Sequence, residues 1–255
     1  MAVHDVAKRG FGAEAGTYER TRPTYPAAAV DWLCDALRLA PGVLLADLAA
    51  GTGKFTRLLE PTGATIVAVE PVEGMWRKLR DASPGVPIVA GAAETLPLAS
   101  ASVDAVTVAQ AFHWFDAEAA FRELARVVKP GGRVAIVWNA RDRSVAWVDE
   151  VWAIMDRFEK EAPWRDHDAW RESALGDRPG FGPLHQETFH HEQVLPPDLV
   201  VERFRGVSHI AALPPDQGEV VLDEVRQVLS THPDAVGKPE LAIPYRVDAM
   251  WCERL

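Results

Sequence analysis

The chain of 255 residues carries 27 Lys and Arg against 37 Asp and Glu, a formal net charge of −10, with 48% hydrophobic and 25% charged residues. That balance is ordinary for a globular protein long enough to bury a sizeable core, and no apolar run approaches the about 20 residues that a membrane-spanning helix needs. An acidic chain without a Lys/Arg run repels polyanions, so nucleic acid is not an expected partner; Cys34 and Cys252, at opposite ends of the chain, exclude a disulfide framework or a four-cysteine zinc site within it.

Taken in chain order, Met1 to Gly12 intersperses His4, Asp5, Lys8 and Arg9 among apolar positions and lacks the apolar core of a secretory signal, which predicts a cytoplasmic protein. Ala27 to Leu39 predicts a helix, with Pro26 near its start and Pro41-Gly42 after its end, so that residues 1–42 form an N-terminal helical cap. From residue 43 strand and helix patterns alternate: strand Val43 to Leu48, short helix Lys54 to Glu60, strand Thr65 to Glu70 and helix Val72 to Asp81. Strands at Val86 to Ala90 and Val103 to Ala109 follow, then helix Ala117 to Val128, a stop at Lys129-Pro130-Gly131-Gly132, and strand Arg133 to Trp138. Such alternation predicts parallel strands joined by crossover helices, the doubly wound Rossmann-like α/β architecture.

Over 139–182 the alternation lapses. Val145, Val148, Val151, Trp152, Met155 and Phe158 recur at helical spacing, and Trp147, Trp164, Trp170 and Phe181 enrich the segment in aromatics, so it predicts a helical insertion that covers the substrate site. The remainder, 183–255, predicts a strand over Leu184 to Leu195, helices over Asp198 to Val207 and Asp216 to Leu229, and a final strand over Leu241 to Met250. These complete a seven-stranded, mostly parallel sheet within a single domain whose cofactor-binding core is 43–138.

The sharpest local signal is Leu44-Leu45-Ala46-Asp47-Leu48-Ala49-Ala50-Gly51-Thr52-Gly53-Lys54-Phe55-Thr56, a strand that enters a glycine turn and then opens a helix. Gly51 and Gly53 permit a tight turn and close approach of the backbone to a ligand. A dinucleotide fingerprint requires a third glycine where Thr56 stands, and Lys54 is followed by Phe55, so the phosphate-loop pattern fails as well. S-adenosylmethionine, with an ammonium, a sulfonium and a carboxylate but no phosphate, suits the loop better: Asp47 fits the ammonium side, and loop amides fit the carboxylate. Glu70, 23 positions beyond Asp47, matches the acidic residue about 20 residues on that takes ribose hydroxyls in nucleoside-binding sheets.

The likeness is wider than the loop. Asp47 to Gly53, Glu70-Pro71, Gly91-Ala92-Ala93-Glu94-Thr95-Leu96-Pro97-Leu98, Ser102-Val103-Asp104-Ala105-Val106 and Val128-Lys129-Pro130-Gly131-Gly132-Arg133 together resemble the ordered motifs of class I S-adenosylmethionine-dependent methyltransferases, across residues 43–138. Gln110-Ala111-Phe112-His113-Trp114-Phe115 and Tyr18-Glu19-Arg20-Thr21-Arg22-Pro23 are similar to the branch containing trans-aconitate methyltransferase. The resemblance implies that Asp47, Ala49, Gly51, Thr52 and Gly53 surround the methionine end of the cofactor and that Glu70, with Pro71 after it, holds the ribose. It places Met75 on one adenine face, Ala93 and Glu94 near the adenine edge, and Tyr18 and Arg22 over the carboxylate. Ala49 departs from a common glycine and Ala92 from a common adenine-contacting aspartate; the first departure adds only one methyl and is expected to cost little, the second to weaken cofactor binding.

Methyl transfer from a sulfonium is an in-line displacement that holding the reactants in a dry site can largely carry. Where the acceptor is a hydroxyl or an amine, a histidine base helps, and His113, just past the strand Val103 to Ala109 at the ligand-binding edge, is the candidate; Gln110 at the same edge touches the methionine moiety. His190 and His191 point to opposite faces of a strand, which argues against a metal site with His185. The expected activity is methylation of a small molecule at O, N or C, with the aromatics of 139–182, Phe112 and Trp114 suited to an apolar or aromatic acceptor. The alternatives are an S-adenosylmethionine-binding protein without catalysis and a nicotinamide-dependent oxidoreductase, the latter disfavoured by Thr56 and Asp47.

Overall fold

The computed structural model describes residues 21–158, 167–211 and 213–255. Its elements, in chain order, are α1 (Ala27–Ala36), β1 (Leu44–Leu48), α2 (Thr56–Leu59), β2 (Thr65–Val69), α3 (Glu73–Ala82), β3 (Ile88–Val89), β4 (Val103–Ala109), α4 (Ala117–Val127) and β5 (Val128–Arg141). There follow α5 (Ala146–Asp156), α6 (His167–Gly176), β6 (His185–Leu195), α7 (Pro197–Arg205), α8 (Ser208–Ala211), α9 (Pro215–Thr231) and β7 (Leu241–Glu253). One sheet of seven strands has the order β3-β2-β1-β4-β5-β7-β6. Strands β1 to β5 pair in parallel, while β7 runs antiparallel to both β5 and β6.

The central strands β1 and β4 bury side chains on both faces, as expected of parallel strands covered by helices on either side. On one face Phe121, Leu124 and Val127 of α4 pack with Val106, Val108 and Ile136; on the other, Ala29, Val30 and Leu33 of α1 pack with Leu45, Ala105 and Val137. Helix α4 starts at Asp116, whose Oδ1 accepts the Ala119 N–H at 3.1 Å. The edge strand β6 is mostly exposed and bears three histidines and two glutamates, charge-bearing types that discourage pairing with another edge.

Several boundaries differ from the sequence pattern. Helix α2 is a single turn because Pro61 turns the chain into a 3-10 segment, Glu60–Thr62, that closes at Gly63 in the left-handed region. The Lys129 to Gly132 run, expected as a break, is carried as the start of β5. Gly132 makes this possible, since a Cβ there would meet the Asp104 carbonyl oxygen at 2.6 Å. The expected division at 182/183 does not follow the packing: Trp147, Trp152 and Met155 of α5 form one core with Val200 and Phe204 of α7, Leu222 and Val225 of α9 and the first residues of β7. This second core is therefore built from both segments rather than from 139–182 alone.

Among the described residues no helix is long and apolar enough to cross a membrane. Cys34 and Cys252 are free thiols, each pushed up to about 11 by burial first, with Asp31 and Asp35 adding to the effect at Cys34.

Candidate functional site

The strand order reverses between β1 and β4, and a cleft opens there at the carboxyl edge of the sheet, where open α/β sheets take their ligands. Asp47, Ala49, Gly51 and Thr52 line it from β1 and its loop, Gln110 from the end of β4, and Arg22 from the N-terminal segment. The opposite wall is made by Asn139 of β5, Tyr245 of β7 and Arg203 of α7.

Asp47 is held from two directions. The β1–β4 register sets it beside Thr107, whose hydroxyl donates to Oδ1 at 2.8 Å, and the Thr56 hydroxyl donates to Oδ2 at 2.6 Å. Thr56, the residue that breaks the dinucleotide pattern, thus has a positive role. With only 1% of Asp47 exposed, burial pushes its carboxyl up to about 6, and the two hydroxyl bonds oppose the rise.

Glu70, directly after β2 and 4% exposed, binds the glycine turn itself: Oε2 accepts the Gly51 N–H at 2.9 Å and Oε1 the Val72 N–H at 2.8 Å. Pro71 between them has no N–H, so Val72 supplies the donor. Burial pushes the Glu70 carboxyl up to about 7; the backbone N–H bonds oppose this and the nearby Asp47 charge adds to it.

The loop between β1 and α2 visits the left-handed region at Ala49 (φ 50°), Gly51 (60°) and Gly53 (80°). A Cβ on Gly53 would lie 2.8 Å from Leu79 Cγ, so α3 packs directly on the loop; a Cβ on Gly51 would meet nothing nearer than 4.0 Å, and that side stays open. At Ala49 the expectation of a small cost needs correction. The burden is the left-handed backbone, about 1 kcal/mol for a residue with a Cβ, rather than the volume of a methyl. Ala49→Gly is therefore expected to raise stability by about 0.5–1 kcal/mol in urea denaturation, against the usual loss of that size for Ala→Gly; that usual loss would show an unstrained loop.

Gln110, at φ 58°, is likewise left-handed, and its Nε2 is buried with no hydrogen-bond partner among the described residues. A strained residue that aims an unused donor into a cleft is a sign of a ligand site.

Other expected positions stand apart. Met75 is buried in α3 and Ala93 in the loop after β3, and neither lines the cleft. Glu94 Oε1 accepts the Asp116 N–H at 3.0 Å, tethering the start of α4. His113, in the 3-10 turn Phe112–Trp114, has its ring 4.7 Å from Trp114 and 4.9 Å from Trp138, and it is not among the cleft-lining residues. Arg22 donates from Nη2 to the Gly206 carbonyl at 3.1 Å, bridging to the end of α7. Tyr18 lies outside the described residues.

The cleft also contains residues that sequence reasoning passed over. Lys54 donates from Nζ to the Arg22 carbonyl at 2.7 Å; its place beside Gly53 was its only signal. Asn139 donates to the Thr24 carbonyl at 3.1 Å and pairs with His191 Nε2 at 2.9 Å, while the His191 ring stacks on Tyr245. Burial lowers the His191 pKa. Arg203 and Tyr245 sit in ordinary amphipathic patterns that carry no local sign of a site.

Comparison with known proteins places this geometry. Residues 46–136 match the family model described as a methyltransferase domain. The chain is 40% identical over 235 residues to an uncharacterized methyltransferase of Mycobacterium bovis, covering 92% of this chain and 91% of the relative. It is 34% identical to an uncharacterized methyltransferase-like protein of Schizosaccharomyces pombe, covering 99% and 98%. Among solved structures, one of a protein from Anaeromyxobacter dehalogenans assigned as a type II methyltransferase has a TM-score of 0.59 at 30% identity, covering 91% of this chain and 96% of that one. None of these relatives is named for trans-aconitate, so the resemblance stands at the level of the methyltransferase domain.

Proposed function

Because this chain belongs to the methyltransferase family, whose methyl donor is S-adenosylmethionine, we propose that the cleft between the ends of β1 and β4 holds that cofactor and passes its methyl to a small-molecule acceptor. The observation that carries the reading is the loop: three left-handed residues in five, open on the Gly51 side and flanked by two buried carboxylates, Asp47 and Glu70, with the unused amide donor of Gln110 facing the same space. That set of groups fits the ligand, since the acids match an ammonium and ribose hydroxyls, and free donors match a carboxylate.

When bound, S-adenosylmethionine supplies an electrophilic methyl on a sulfonium. The chain's own contribution is placement. Asp47, fixed by Thr56 and Thr107, offers a rigid acceptor; Glu70 sets the loop and retains a second lone pair on each oxygen; Gly51, Thr52 and Gly53 let backbone approach closely. Pro71, Met75, Ala93 and Glu94 are assigned to the nucleoside side, and Arg22 with Tyr18 to the methionine carboxylate. The cap made by α5, α7 and α9 excludes water and limits the acceptor to a small molecule, and the net charge of −10 argues against nucleic acid. The free thiols of Cys34 and Cys252 suit a reducing, cytoplasmic setting.

Calorimetric titration with S-adenosylmethionine and, separately, with NADH tests this reading. Saturable binding of the first alone is expected; binding of NADH alone would overturn it. His113 is the general base we assign for hydroxyl or amine acceptors. His113→Phe keeps an aromatic ring against Trp114 and Trp138 while removing the proton acceptor. It is expected to slow turnover of such an acceptor at least about tenfold with S-adenosylhomocysteine affinity held within about twofold. Full turnover in that variant would leave His113 a packing residue.

A further inference from the structure

Arg203, on α7, is only 4% exposed, yet among the described residues its Nε and Nη1 are both buried without a hydrogen-bond partner and it makes no ion pair. A guanidinium cannot shed its proton, so the unliganded fold carries a buried charge that it does not compensate. Trp152 at 5.9 Å and Phe204 at 6.0 Å from the guanidinium carbon offset part of the cost only. A buried polar group without a partner calls for one, and Arg203 lines the same cleft as Asp47 and the β1 loop.

The segment before α1 brings α7 to that loop. Arg22 donates to the carbonyl of Gly206, which ends α7 one turn after Arg203, and the Arg22 carbonyl in turn accepts from Lys54, directly after Gly53, at 2.7 Å. Arg203 thus stands on the side of the cleft given to the methionine end of the cofactor. The loop there has spent several of its own donors: the Ala50 N–H is donated to the Val69 carbonyl at 3.3 Å, that of Gly51 to Glu70 Oε2 at 2.9 Å and that of Gly53 to the Ala50 carbonyl at 2.9 Å. Three loop amides that would suit a carboxylate hold the turn instead.

Resting on the assignment of S-adenosylmethionine to this cleft, we infer that Arg203 takes the carboxylate of the cofactor and thereby couples cofactor binding to the second core, that of α5, α7 and α9. The ammonium and the carboxylate of the methionine end share one carbon, so a cofactor whose ammonium meets Asp47 presents its carboxylate within the same cleft. The planar donor array of a guanidinium matches the two carboxylate oxygens. Arg203 also belongs to the core behind it: the neighbouring Phe204 ring packs edge-on against Trp152 of α5 at 4.9 Å, and Leu222 and Val225 of α9 complete that packing. A bound carboxylate removes the cost of an unpaired buried cation at the point where this core meets the cleft, so the core gains stability when the cofactor is in place.

The test is calorimetric titration of the full chain, at about pH 8 where both cleft carboxylates are ionised, with S-adenosylhomocysteine and with S-adenosyl-3-thiopropylamine, the same molecule without its carboxylate. The parent is expected to prefer S-adenosylhomocysteine at least about tenfold, and Arg203→Met to cut that preference at least about fivefold without lowering affinity for the amine. Arg203→Lys, which keeps the charge without the planar array, is expected to retain an intermediate preference. Because Arg203→Met replaces an unpaired buried cation by an apolar side chain beside Trp152 and Phe204, the melting temperature of the unliganded variant is expected to equal or exceed that of the parent. Hydrogen exchange reads the coupling: at equal saturation S-adenosylhomocysteine is expected to slow exchange in α5, α7 and α9 of the parent more than the amine does, and Arg203→Met to erase that difference.

The inference is overturned by equal affinity of the parent for the two ligands, or by a preference that falls less than about fivefold in Arg203→Met, which would turn Arg203 toward the acceptor instead. An equal loss of affinity for both ligands in that variant overturns it too, by showing a packing role without contact to the carboxylate. Equal protection of α5, α7 and α9 by the two ligands in the parent removes the coupling. Binding of neither ligand by the parent would refute the cofactor assignment and this inference with it, whereas equal binding of both refutes the inference alone.

Discussion

Glu70→Ala is expected to weaken S-adenosylhomocysteine binding about 100-fold, as measured by calorimetry on a variant whose circular dichroism matches the parent, because charge-assisted hydrogen bonds to a buried carboxylate are worth about 1.5–3 kcal/mol. Two losses coincide. The ribose hydroxyls lose their acceptor, and the Gly51 N–H, which Glu70 Oε2 accepts at 2.9 Å, is released, so the turn that approaches the ligand is no longer pinned to the end of β2. Glu70→Gln keeps a single acceptor oxygen and is expected to fall between the two, about tenfold below the parent. An unchanged affinity in folded Glu70→Ala would leave Glu70 as a loop anchor and remove it from the ribose site.

The second large effect is a pH dependence. Burial pushes Asp47 up to about 6 and Glu70 up to about 7, both above ordinary carboxylate values. With the folded-state pKa above that of the unfolded chain, the stability these groups contribute is fully present below about pH 4 and is lost as pH rises through about 6 to 7. Ionisation therefore works against the unliganded protein. An ammonium near Asp47 and ribose hydroxyls at Glu70 reverse the preference, since both demand the charged carboxylate. Affinity for S-adenosylhomocysteine is expected to rise about 100-fold from pH 5.5 to 8, most steeply below about 7, about 30-fold of it from a group of pKa near 7 that must lose its proton to bind and about fourfold from one of pKa near 6. Calorimetry in buffers of different ionisation heat should show proton release between about pH 6 and 7 that Glu70→Gln suppresses. A flat affinity across that range would mean that neither carboxylate meets the ligand.

The two effects share a cause that explains why this edge of the sheet is costly to build. Asp47 and Glu70 are buried acids, Ala49 and Gln110 are left-handed residues with side chains, and Gln110 and Arg203 hold donors without partners among the described residues. Away from the cleft the same fold satisfies its polar groups conventionally, as at Glu94 and Asp116. Stability withheld at one edge is what a ligand restores on binding.

The sequence by itself determined the sheet, the glycine loop and the positions of Asp47 and Glu70 at strand ends, because each rests on short-range rules: apolar runs of strand length, glycines where φ must be positive, acids at fixed distance along a βαβ unit. It also placed Gln110 and His113 at the correct edge, since both follow β4 directly. Only the tertiary structure decided what those side chains touch. Thr107 reaches Asp47 through the β1–β4 register, 60 positions away in the chain; Glu70 spends two lone pairs on Gly51 and Val72; Glu94 ties down a helix; His113 packs on Trp138 of the neighbouring strand. Arg203 shows the limit most clearly. Its helix reads as an ordinary amphipathic segment, and it becomes an unpaired charge in a cleft only because α7 joins α5 and α9 in a second core laid over the ends of β5 and β7, a long-range packing outcome that no local periodicity encodes.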